Sequence, residues 1–110
     1  MIYPIEIHII PLNKEPYGYN KHSELVIHDK INLKSMTFKK IINNLNKILK
    51  KENYKPIHDF HYVQEDGDIA YIAPDFPNKI LNGIFEDLLE SIKSNYPNQP
   101  GYIIVNSEKN

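Results

Sequence analysis

A chain of 110 residues falls within the size of one domain, and area scaling buries about two-thirds of its unfolded surface, enough for one core without staples. It has no cysteine, which excludes a disulfide framework, a thiolate metal site, a cysteine nucleophile and an iron–sulfur cluster. All 13 basic residues are Lys, so no guanidinium fork is available for bidentate contact to phosphate or guanine, which argues against sequence-specific nucleic-acid reading.

In chain order, Ile2 to Ile10 alternates, with Ile5, Ile7 and Ile9 on one face and Pro4, Glu6 and His8 on the other, the period of a half-buried strand. Pro4 marks it as an edge strand. The Met1 to Leu12 run has no basic region ahead of it and no small-residue cleavage pattern, so the expectation is a cytoplasmic protein without a secretory leader. Residues 11–23, rich in Pro, Gly, Asn and Tyr, read as a loop, and Glu24 to His28 as a second strand.

From Thr37 to Lys51, Phe38, Ile41, Ile42, Leu45, Ile48 and Leu49 recur at helical spacing, with Ser35 or Thr37 as cap and Lys50 and Lys51 complementing the dipole at the end. Ile57 to Gln64 and Ile69 to Ala73 form a hairpin across Glu65-Asp66-Gly67-Asp68, where Asp-Gly supplies positive φ. Asp75-Phe76-Pro77 starts a second helix whose apolar face is Ile80, Leu81, Ile84, Phe85, Leu88, Leu89 and Ile92, ending before Pro97. Gly101 to Asn106 is a last strand, and residues 107–110 a flexible polar tail. The order β-β-α-β-β-α-β predicts a single α+β domain, a sandwich with both amphipathic helices on one face of a mainly antiparallel sheet, with a ferredoxin-like variant among its topologies.

His58-Asp59-Phe60-His61 is the one stretch with the residue types of an active site or metal site. On a strand His58 and His61 point to opposite faces and cannot chelate one ion, whereas Asp59 and His61 share a face and can pair as a general base. No Ser lies in a nucleophile elbow, and the four Gly are isolated, so no phosphate loop is present. His8 and His28 fall on the polar faces of the first two strands, where they can meet across a hairpin and sense pH or bind a metal with Asp29. No cofactor and no metal is expected.

Charge is the stronger signal. Residues 1–55 carry ten Lys and five acids, and residues 56–110 three Lys and nine acids. The first helix and its flank hold Lys39, Lys40, Lys47, Lys50, Lys51 and Lys55, which supports one alternative, a small nucleic-acid-associated or regulatory protein. A further alternative is a small enzyme using Asp59 and His61. The acidic half supports the leading expectation: Glu65, Asp66, Asp68 and Asp75 around the hairpin, with Glu86, Asp87 and Glu90 on the second helix, form a surface that steers a basic partner. Tyr62 and Tyr71 add candidate contact area, since Tyr buries a large surface at low entropy cost.

A compact, cysteine-free domain, acidic in one half, with the Lys, Asn, Ile and Tyr usage of AT-rich codons, resembles as a whole the small immunity proteins of bacterial contact-dependent or polymorphic toxin systems. The resemblance rests on overall character and carries over no residue. It implies a non-enzymatic inhibitor that binds a cognate toxin stoichiometrically, the toxin being basic and of the nuclease type, with no direct nucleic-acid or membrane contact.

Overall fold

The computed structural model describes residues 2–32, 37–64, 66–72, 78–95 and 99–110, with 78–85 and 95 as backbone alone. In chain order the elements are β1 (Ile2–Ile10), α1 (Tyr19–His22), β2 (Leu25–Asn32), α2 (Phe38–Lys51), β3 (Asp59–Val63), β4 (Ile69–Ile72), α3 (Asn78–Asn95) and β5 (Gly101–Asn106). They build one five-stranded sheet in the order β2-β1-β5-β3-β4. All neighbours are antiparallel except β1 and β5, which are parallel. The sheet is thus mixed, and a short third helix joins the two long ones.

These directions explain why both long helices share a face. β2 and β3 run the same way, joined by α2 across β1 and β5; β4 and β5 run the opposite way, joined by α3 back across β3. Reversing both the strand direction and the lateral step leaves the hand unchanged, so two right-handed crossovers place their helices on one side. The β4-α3-β5 unit has the split connection of a ferredoxin-like fold, while the β1–β2 hairpin and the wider α2 crossover depart from it. On the shared side Ile41, Leu45 and Leu49 of α2 and Leu88 and Ile92 of α3 pack against Ile5, Ile7, Ile9, Phe60, Tyr62, Ile72, Ile103 and Val105 of the sheet. The upstream apolar residues of α3, Ile80 to Phe85, and its start at Asp75 to Pro77 lie outside the described side chains.

Local chemistry sets the boundaries. Thr37 is extended and its hydroxyl accepts from Lys40 N at 3.2 Å, capping α2. At the other end Asn53 takes a φ of 66°, Asn53 N donates to Lys50 O and Tyr54 N donates to Leu49 O at 2.8 Å. This is a Schellman ending, with Tyr54 packed back on the core. In the β3–β4 turn Gly67 has a φ of 91°, the left-handed conformation that glycine adopts without strain, whereas Asp66 does not share the positive φ expected of the Asp-Gly pair.

Three sequence expectations change. β1 is an interior strand, because Pro4 precedes the first β1–β5 pair, Ile5 with Gly101, and its missing N–H falls where β1 is still locally an edge. β2 runs on to Asn32 because β1 is long enough to pair with it that far. Residues 107–110 are held in place: Ser107 is fully buried with Oγ donating to Lys55 O at 2.7 Å, Lys55 N donates to Glu108 O, Asn110 N donates to Asn53 O, and Lys109 lies over the Tyr54 ring.

No helix among the described residues is long and apolar enough to cross a membrane. Gly101 begins the central strand beneath α3, where an added Cβ would stand 2.5 Å from Ile92 Cγ1. Gly101→Ala is expected to cost about 1–3 kcal/mol in urea unfolding, as overpacking does, and unchanged stability would show that α3 is free to shift.

Candidate functional site

Alternation along β3 turns Phe60 and Tyr62 toward the helices and Asp59 and His61 toward the opposite face of the sheet. Each face therefore carries its own polar cluster.

On the helix side Tyr62 is buried, and its hydroxyl donates to Asp87 Oδ2 at 2.7 Å. Gln64, two residues further along the same face, donates to the same oxygen at 3.0 Å. These two hydrogen bonds hold the Asp87 carboxyl below its ordinary value of 3.8, while burial and the neighbouring carboxylate push the Tyr62 phenol up. One helical turn on, Ser91 Oγ donates to Asp87 O, and Glu90 stands on the same side of α3. Asp66, from the turn after β3, completes an open hollow of about 410 Å3 lined by Gln64, Asp66, Asp87, Glu90 and Ser91. Lys93 reaches Glu90 at 3.5 Å, an exposed pair that contributes little.

The structure thus gathers Asp66, Asp87 and Glu90 from the sequence-predicted surface. Asp68 and Glu86 are exposed outside this lining, and Glu65 and Asp75 lie outside the described residues. Tyr62 is a correction: at 1% exposure its ring belongs to the core, and its part is to anchor Asp87. Tyr71 is 45% exposed but faces the other side of the sheet, beside His61. Sequence reasoning missed Gln64, although its spacing of two from Tyr62 places both on one face.

On that other face His61 is buried against Asn106, with Nε2 3.2 Å from Oδ1. The Asn106 amide N–H groups donate to Pro11 O and Lys14 O, so Oδ1 is the atom left for His61 and Nε2 carries the proton. Burial lowers the His61 pKa below 6.5. Asp59 accepts from the Tyr71 hydroxyl at 3.2 Å and pairs with His58 at 3.1 Å. Asp59 and His61 do share a face, and Asn106 is the group that engages His61 through a hydrogen bond.

His8 and His28 do not pair with each other. The register sets Glu6 opposite His28, and Glu6 approaches His8 Nε2 at 2.6 Å and His28 Nδ1 at 3.9 Å. Asp29 points to the helix side, and its carboxylate accepts from Lys30 N. His8 Nδ1 meets Ser23 Oγ at 2.7 Å, which has the outline of a Ser-His-Glu triad. Ser23 spends its hydroxyl proton on Tyr19 O, however, and so offers His8 a lone pair rather than a proton to abstract. With the edge-on contact of Tyr19 and His8, these bonds fasten residues 11–23 over the sheet. Among the described residues no group of three or more His, Cys, Asp or Glu is placed to hold a metal ion.

No family model matches this chain, and comparison with curated proteins and with solved structures returns no significant match.

Two titration outcomes follow. Asp87, with its pKa depressed on folding, stabilises the fold above its unfolded value and loses that contribution as pH falls through the folded one. Tyr62→Phe should cost about 1 kcal/mol at neutral pH, with the gap to wild type closing below about pH 3.8; a gap independent of pH would separate Tyr62 from Asp87. His61 also has a depressed pKa, but it must gain a proton as pH falls, so the unfolded chain binds protons first. Wild type should lose stability relative to His61→Gln as pH drops below 6.5, and parallel curves would contradict the buried neutral ring.

Proposed function

We propose that this protein is a stoichiometric protein-binding inhibitor, an immunity protein that neutralises a cognate basic bacterial toxin by docking through the surface around Asp66, Asp87 and Glu90. The observation that supports the reading is the convergence of these three carboxylates, from a strand turn and a helix, on one open hollow. Asp87 is fixed from beneath by Tyr62 and Gln64, so its ordering cost is met before a partner arrives. Its depressed pKa keeps it charged through the physiological range.

The mechanism is attraction followed by capture. Exposed carboxylates at the turn and along α3 raise the encounter rate with a basic surface, and close packing around the hollow then sets the lifetime of the complex. Blocking the toxin's working cleft is the inhibitory event, and no chemical step is required of the inhibitor. A toxin of the nuclease type fits because a surface that attracts phosphate chains also attracts carboxylates.

The test is charge reversal against the purified toxin. Asp66→Lys, Asp87→Lys and Glu90→Lys combined should slow association by about tenfold or more at low salt and abolish protection of cells expressing the toxin. The wild-type association rate should fall steeply with ionic strength. Retained protection by the triple variant would move the docking surface elsewhere.

A further inference from the structure

Away from the acidic hollow, the end of α2 and the chain that follows it border a second open hollow of about 620 Å3. Asn43, Asn46, Lys47 and Lys50 recur at i, i+3, i+4 and i+7 and so form one helical stripe along its wall. Tyr54, Lys55, Pro56 and Asn110 complete it. The volume lies within the range of small-molecule sites, and no Asp or Glu lines it.

We propose that this hollow binds a small phosphate monoester with a flat apolar body, of nucleoside monophosphate size. Three features select that class. Lys47 and Lys50 make no ion pair among the described residues, and Lys55, beside them, is shared with Glu108 at 3.1 Å. Two ammonium groups on one wall match a dianion, and lysine binds phosphate as a point charge without the fork that arginine would need.

The negative end of the α2 dipole would oppose an anion, but the terminal carbonyls of Ile48, Leu49 and Lys50 already accept from Glu52, Asn53 and Tyr54 N–H groups. The rest of the wall is suited to a flat ring. Pro56 and the lysine stems are apolar, and Tyr54, only 4% exposed, backs them. Asn46 Oδ1 accepts from Ile57 N at 2.9 Å, which leaves its amide N–H groups as donors to a ring nitrogen or carbonyl.

The Schellman ending is what shapes the site, because it turns the chain at Asn53 and brings Tyr54 to Pro56 back alongside the helix. Asn110, tied down by its N–H donating to Asn53 O, contributes the remaining part of the lining.

The test is a titration of the 15N-labelled full-length protein at low salt with AMP, adenosine and inorganic phosphate, read by amide shifts. AMP should bind in the submillimolar range and move Asn43, Asn46, Lys47, Lys50, Tyr54 and Lys55, with adenosine and phosphate each weaker by about tenfold. Lys47→Gln with Lys50→Gln, both exposed helix positions, should keep the melting temperature and lose about tenfold in AMP affinity. No shifts at millimolar AMP, shifts spread equally over Lys39 and Lys40, or an affinity unchanged in the double variant would overturn the proposal. Inorganic phosphate binding as tightly as AMP would overturn the role of the apolar wall. None of these outcomes depends on the acidic surface or on a protein partner.

Discussion

The last strand of the chain occupies the middle of the sheet. β5 pairs with β1 on one side and β3 on the other, so within the sheet the β1–β2 hairpin and the β3–β4 hairpin are joined through residues that come after α3. Every inward side chain of β5 is shielded by the helices, and Gly101 leaves the room that Ile92 needs. Such a sheet is dominated by non-local pairing and cannot close until its C-terminal residues arrive. Both polar clusters on β3 inherit their positions from this strand: Asn106 reaches His61 across the ladder, and the Tyr62–Ile103 pair sets Tyr62 where its hydroxyl meets α3.

The same placement divides the molecule electrically. The α2 crossover carries Lys47 and Lys50, and the α3 crossover carries Asp87 and Glu90, so the opposite charge of the two halves of the sequence becomes two separate hollows. Between them the core is apolar, with no buried side-chain polar atom lacking a partner among the described residues. The polar groups on the other face of the sheet serve chiefly to fasten residues 11–23, through Asn106 and through Ser23, His8 and Glu6.

Much of the fold was legible in the sequence. The 3.6-residue period of α2 and its Thr37 cap, the left-handed turn at Gly67 and the inward Ile5, Ile7 and Ile9 of β1 all follow from local rules, and the structure keeps them. Strand order was not legible, because the insertion of β5 between β1 and β3 depends on crossovers that composition does not encode, and this is why Pro4 suggested an edge strand. The short helix at Tyr19–His22 is one turn long, too short for a periodic signal. The tail reads as flexible in the sequence because the bonds that hold Ser107 and Asn110 run to residues more than fifty positions away. At the acidic surface the charge pattern was readable, but the burial of Tyr62 and the part of Gln64 needed the packing of β3 against α3.

The measurement that bears most directly on the inhibitor reading is an affinity capture from lysate of the source cells, with nuclease treatment, using wild type and the Asp66→Lys, Asp87→Lys, Glu90→Lys variant in parallel. A basic protein retained near one-to-one by wild type, resistant to nuclease and lost with the variant, is the predicted result. Retention of nucleic acid alone, or of the same protein by both baits, would contradict a docking role for the acidic hollow.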